Sequence, residues 1–278
     1  MTPMRHALTI AGSDSSSGAG VQADLKTFAA FGVYGTTAVT AITAQNTRGV
    51  TAMAAFSADL ITAQIEAVVG DIELHATKIG MLATAAIVEA VTAAIDELEL
   101  PTVVLDPVMV SSSGERLLDS DGVQALLTGL LPRARVVTPN IPEAEVLSGV
   151  RIASEDDRRR AARHICELGA GAVIITGGHA LGTEDSVVDV LFDGTDFVEL
   201  RTPRVGSHGG QSVHGTGCAF ASALAARLAL GDDLPEAAGR AQQYVAGAIT
   251  HALAVGRGAR CLDHFWQLRG HARQSVDL

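Results

Sequence analysis

The chain has 278 residues, 47% of them hydrophobic and 4% aromatic, with a formal net charge of -11. That much apolar material can fill one large α/β domain or two ordinary ones, and the acidic balance argues against a general nucleic-acid or anionic-membrane surface. Apolar runs are too short to span a bilayer, the N-terminus has no extended h-region, and Cys166, Cys218 and Cys261 are odd in number and widely spaced, as expected of reduced cytoplasmic thiols rather than a disulfide frame or zinc site.

In chain order, strand-like and helix-like segments alternate. His6–Ala11 reads as a buried strand, followed by a small-residue loop over Gly12–Gly20 and a helix stopped by Gly32. Thr36–Thr43 is β-branched and strand-like, and Val50–Phe56 is a further strand. Asp59–Val69 has helical spacing. Thr77–Gly80 then reads as a strand, Thr84–Leu98 as a helix and Thr102–Leu105 as a strand ending in Asp106. Asp121–Leu130 is helical, Arg135–Thr138 a strand, and Pro142–Leu147 a helix with proline at a tolerated first-turn position. Ser154 caps a charged helix to Leu168. Ala172–Thr176 is a strand before Gly177-Gly178-His179, and Val187–Phe192 with Phe197–Leu200 forms a hairpin around Asp193-Gly194. Helices over Cys218–Leu230 and Pro235–Ala254 complete the pattern, leaving 255–278 as a C-terminal tail. The expectation is a single domain over 1–278, a mainly parallel sheet covered by helices on both faces.

The polar clusters follow strands, and in open α/β sheets ligands bind outside the carboxyl ends of strands. The segment His214-Gly215-Thr216-Gly217-Cys218 leads straight into a helix. Glycines admit close backbone approach, and the first helical N–H groups lack intrahelical partners, so this turn suits a phosphate. A cysteine at such a helix start has its thiolate favoured and can serve as a base. Asp106 and Glu143 suit Mg²⁺ held with nucleotide phosphates, although Asp106 can equally cap the next segment and Glu143 is a first-turn acid favoured by the helix dipole. Asn140 has the plain alternative of a turn residue before Pro142. Gln45 and Asn46, just after a strand, can pair with a heterocycle edge. Met81 can pack on a flat ring, and His214 and His179 can contact phosphate. The P-loop and dinucleotide fingerprints are both absent.

The segments AGSDSSSGAGVQADLKTF, TAITAQNT, TKIGML, VLDPVMVSSSG, TPNIPEAE, TGGH and HGTGC occur in this order. Together they resemble the hydroxymethylpyrimidine and phosphomethylpyrimidine kinases of thiamine biosynthesis, in the ribokinase-like superfamily. The resemblance runs from Leu8 to about Gly258. It implies a ribokinase-like α/β domain, ATP and Mg²⁺ as cofactors, and successive phosphorylation of 4-amino-5-hydroxymethyl-2-methylpyrimidine and its monophosphate. It also implies a cytoplasmic homodimer acting on small molecules. Carried over by position, Gln45 reads the pyrimidine edge and Gly12, Asp24 and Met81 shape its pocket. Asp106 and Glu143 hold the metal. Asn140, Thr176, Gly178 and His214 fall on the ATP-phosphate side. Gly215, Thr216 and Gly217 form the anion hole, and Cys218 stands where many relatives carry an aspartate base. Thr176 departs from the family's usual lysine, which contacts ATP phosphates, and Ser15 and Ser17 replace a proline and a glycine. A pyridoxal or pyridoxine kinase is the alternative within the superfamily. A non-catalytic pyrimidine sensor is the alternative outside it.

Overall fold

The computed structural model describes residues 3–111, 114–177, 186–205 and 212–269. Strands are β1 (His6–Asp14), β2 (Tyr34–Asn46), β3 (Gly49–Ala55), β4 (Ala76–Ile79), β5 (Val103–Leu105), β6 (Val136–Val137), β7 (Val173–Ile175), β8 (Ser186–Phe192), β9 (Phe197–Pro203), β10 (Val213–His214) and β11 (Arg260–Cys261). Helices are α1 (Gly20–Ala30), α2 (Ala58–Val69), α3 (Ala85–Glu97), α4 (Ser120–Ala125), α5 (Ile141–Ser148), α6 (Glu155–Glu167), α7 (Thr216–Ala229) and α8 (Leu234–Thr250).

Nine strands form one sheet in the order β3-β2-β1-β4-β5-β6-β7-β8-β9. The run β2-β1-β4-β5-β6-β7 is parallel, and antiparallel strands flank it at both ends. Period-2 alternation sends neighbouring residues to opposite faces. Leu8, Ile10, Val103, Leu105, Val173 and Ile175 join the layer of α2, α3, α5 and α6. Ala7, Val104 and Ile174 join the layer of α1, α7 and α8. Both faces are therefore dry, as a largely parallel sheet requires.

The alternation read from sequence is present, with local differences. Gly12–Asp14 is not loop: β1 continues through it, paired with β2 by a register shift after Ala11. Gln45 and Asn46 lie inside β2, because the β2–β3 ladder continues to Asn46 and Gly49. The helix expected over Asp121–Leu130 is α4 only to Ala125, then a π-helical turn over Leu126–Leu130. The long last helix stops at Thr250. Beyond it, β11 pairs with β10, and the Ala259 amide donates to the Thr47 carbonyl, so this part of the tail is built into the fold.

Candidate active site

Parallel pairing brings the carboxyl ends of β1, β2, β4, β5, β6 and β7 to one edge of the sheet. Side chains cap the N-termini of α2, α3, α4, α5, α6 and α8: Ser57, Thr84, Asp119, Asn140, Ser154 and Asp233. The first turns of α1 and α7 have no side-chain cap, and both open onto this edge. Gly215, the N-cap of α7, has φ of 85°, and a Cβ there would lie 1.9 Å from the Gly18 carbonyl oxygen. Only glycine allows that left-handed turn to press against the β1–α1 loop. The leading amides of α7 are thus left as donors for an anion.

Beneath this turn is a buried charge cluster. Lys78 on β4 is fully buried, with Nζ 3.0 Å from Asp24 Oδ2 and 3.9 Å from Asp106 Oδ2. A Cβ at Gly80 would lie 2.7 Å from that Nζ, so the glycine makes room for the ammonium. Asp24 also accepts from Thr9 Oγ1 and Ser222 Oγ, each at 2.6 Å. Asp24, a residue expected to shape the substrate pocket, is fully buried and its carboxylate accepts from β1, β4 and α7, tying α1 to all three. Burial works against the Lys78 ammonium, but Asp24, Cys218 and Asp106 together outweigh it and its pKa is raised. The sequence reading passed over Lys78; a lysine inside an apolar strand and followed by glycine was the available signal.

Cys218 is half-buried in the first turn of α7. Burial pushes the thiol up to about 12; Lys78 pulls it back, while Asp106 and Asp24 push it further. The expected low-pKa thiolate is therefore corrected: two buried carboxylates and desolvation outweigh the helix terminus. Asp106, at the end of β5, is raised chiefly by burial, and Oδ2 has no hydrogen-bond partner among the described residues.

Asn140 and Glu143 form a reciprocal cap on α5: Asn140 Oδ1 accepts from the Glu143 amide and Glu143 Oε2 from the Asn140 amide, both at 2.9 Å. The Asn140 Oδ1 accordingly serves the helix cap. Burial and then Asp106 push the Glu143 carboxyl up to about 8. Thr176 follows β7; its amide donates to the Pro139 carbonyl, bringing it beside Asn140. Gly178 and His179 lie outside the described residues.

Gly12 and Met81 meet: a Cβ on the glycine would lie 2.3 Å from the Met81 methyl carbon. Met81 is buried, and its carbonyl accepts from Thr40. Gln45 lies farther along the same edge, its Oε1 accepting from Thr43 and its Nε2 lying 3.0 Å from His214 Nε2. The His214 ring also lies 3.2 Å from Asp14 Oδ2. His214, which directly precedes the Gly215 turn, thus stands between Gln45 and the Asp14 carboxylate. A surface cleft of about 410 Å³ between α3 and the α4–π segment, lined by Glu89, Thr92, Asp96, Thr128 and Arg133, holds none of these groups.

Residues 14–263 match the family described as phosphomethylpyrimidine kinase. The hydroxymethylpyrimidine/phosphomethylpyrimidine kinase of Bacillus subtilis is 43% identical over 259 residues, covering 93% of this chain and 94% of that one. The thiamine biosynthesis bifunctional protein ThiED of Geobacter sulfurreducens is 46% identical over 94% of this chain, which spans 52% of its length. The ADP complex of Bacillus subtilis pyridoxal kinase superposes with a TM-score of 0.87 at 38% identity, over 96% of this chain and 100% of that one. The sheet order, the uncapped α7 turn and the sequence identity over nearly the full length agree: the chain is a ribokinase-like kinase and belongs to the phosphomethylpyrimidine kinase family.

Proposed function

We propose that the protein transfers the γ-phosphoryl group of ATP to the hydroxymethyl of 4-amino-5-hydroxymethyl-2-methylpyrimidine, and then phosphorylates that monophosphate. The observation carrying this reading is one sheet edge that bears a ring-reading set, Gln45, Gly12 and Met81, beside the uncapped α7 turn with Cys218. Phosphoryl transfer is mainly positioning and charge stabilisation, so the amides of Thr216, Gly217 and Cys218 are assigned the largest part. Cys218, its thiol kept protonated by burial, stands in the first turn of α7 beside the place assigned to the reacting hydroxyl. Mg²⁺ bound with the phosphates fits the buried Asp106 Oδ2, which has no hydrogen-bond partner among the described residues; Glu143, protonated in the ligand-free protein, would add charge there on giving up its proton, and the metal would neutralise phosphate charge. Described residues contain no group of three or more His, Cys, Asp or Glu able to hold a metal alone, consistent with a metal carried mainly by nucleotide phosphates.

Among the described residues no helix is long and apolar enough to cross a membrane, in keeping with a proposed cytoplasmic location. A homodimer is also proposed, supported by exposed Ile42, Met53 and Leu60 around the β2–β3 edge. The overlap with a pyridoxal kinase favours one second reading, phosphorylation of the pyridoxal hydroxymethyl. ADP release from ATP and Mg²⁺ with each alcohol separates them. A higher kcat/KM for the pyrimidine is expected; a higher value for pyridoxal, or no turnover of either, rejects the main reading. In the same assay Gln45→Ala should raise KM for the pyrimidine with KM for ATP little changed.

A further inference from the structure

We propose that Asp14 and His214 form a clasp that Gln45 competes for, so that the alcohol site and the nucleotide site are energetically coupled. The inference rests on the substrate reading above. Asp14, at the end of β1, organises the loop that follows: Oδ1 accepts from the Ser16 amide at 2.8 Å and Ser16 Oγ at 2.7 Å, and Oδ2 from the Gly18 amide at 3.1 Å and the Ala19 amide at 2.9 Å. The same Oδ2 lies 3.2 Å from His214 Nε2, and His214 immediately precedes the Gly215 turn. A Cβ on Gly18 would lie 2.6 Å from the His214 ring. One carboxylate thereby joins the loop that opens α1 to the turn that opens α7.

Hydrogen counting shows why Gln45 matters. His214 Nε2 faces both Asp14 Oδ2 and Gln45 Nε2. With a hydrogen it donates to Asp14 and cannot accept from the amide; without one it accepts from Gln45 and turns a lone pair on the carboxylate. Turning the amide over leaves the competition in place, since Oε1 would then share the Nε2 hydrogen with Asp14. A second conflict lies at Thr43, whose single hydroxyl hydrogen faces Ser13 O at 2.9 Å and Gln45 Oε1 at 3.1 Å. Gln45 at rest therefore draws the Thr43 hydrogen to its Oε1 and, through its Nε2–H, occupies the His214 Nε2 lone pair, so that His214 cannot carry a hydrogen there toward Asp14. A pyrimidine that engages the Gln45 amide returns the Thr43 hydrogen to Ser13 and leaves His214 Nε2 able to carry a hydrogen and donate it to Asp14. The loop and turn are then held together, with the anion-binding amides fixed before nucleotide arrives. Asp14 and His214 act here as positioning residues.

The test is isothermal titration of AMP-PCP with Mg²⁺, with and without saturating 4-amino-5-hydroxymethyl-2-methylpyrimidine. Coupling between sites typically amounts to about 5- to 150-fold in affinity, so pyrimidine should tighten AMP-PCP binding to wild type by roughly fivefold or more. His214→Phe keeps a ring against Gly18 but removes both nitrogens, and its ratio should fall to about one. His214→Gln restores a donor toward Asp14 and should recover part of the ratio. Asp14→Asn reads the same ratio from the other side of the clasp if His214→Phe does not fold. A wild type that binds both ligands with no coupling, or a folded His214→Phe that retains it, overturns the clasp. A wild type that binds AMP-PCP but no pyrimidine instead rejects the substrate reading, and the coupling with it.

Discussion

Replacing Lys78 by methionine keeps the length of the side chain and removes its charge. Lys78 and Asp24 have side chains with 0% exposure, and Nζ lies 3.0 Å from one carboxylate and 3.9 Å from another. Taking one partner from a buried ion pair costs about 3–5 kcal/mol, because the remaining charge is stranded. Asp24 keeps two hydroxyl donors, Thr9 and Ser222, which places the expected loss near the lower end, about 3 kcal/mol. That is a large share of the roughly 5–15 kcal/mol that holds a typical domain folded. Urea unfolding followed by circular dichroism should show a lower midpoint at an unchanged slope. The double variant Lys78→Met/Asp24→Asn removes the stranded charge and should recover more than half of the loss. A lysine whose pKa is raised on folding contributes stability that is fully present below its unfolded value, about 10.4, and lost only as pH rises through the folded one. The deficit should therefore be equal at pH 6 and pH 9. A single variant within about 1 kcal/mol of wild type, or a double variant no more stable than the single, would refute the reasoning.

Cys218, with its thiol pushed up to about 12, should be alkylated by iodoacetamide at neutral pH more slowly than free cysteine, which ionises near ~8.5; an alkylation profile with a midpoint below that value contradicts the burial argument. Gly215→Ala places a Cβ 1.9 Å from the Gly18 carbonyl at φ of 85°, and the left-handed penalty alone, about 1–2 kcal/mol, predicts a loss of roughly tenfold in kcat/KM. Gly231→Ala, also left-handed at φ of 99° but with nothing within 4 Å of its Cβ, is the control and should lose much less kcat/KM; equal losses would show that the close approach is not the cause. Glu143, raised to about 8 from an ordinary value of 4.5, keeps its proton in the folded state after the unfolded chain has lost it. Unfolding free energy of the ligand-free protein should therefore fall as pH rises from about 5 to 8, and Glu143→Gln should flatten that slope; thermal melts across this range with identical slopes for both proteins would refute it.

Features written in short-range contacts were legible in the residues themselves. Asn140 and Glu143 stand three apart and cap α5 in the way a polar residue before Pro142 and a first-turn acid suggest. The apolar alternation of β1, β5 and β7 already divides their side chains between two helical layers, so the covered, mainly parallel sheet followed from pattern alone. Strand order and the pairs it creates were decided only in three dimensions. Lys78 and Asp24 are 54 residues apart, and His214 and Asp14 are 200 apart; nothing local to either residue specifies its partner. The proton on Cys218 is decided the same way. A helix start taken by itself favours the thiolate. The β1–β4–β5 pairing and the packing of α1 on α7 shut the thiol away from water and set Asp106 and Asp24 near it, and burial first, with those carboxylates added, outweighs both the Lys78 ammonium and the helix start.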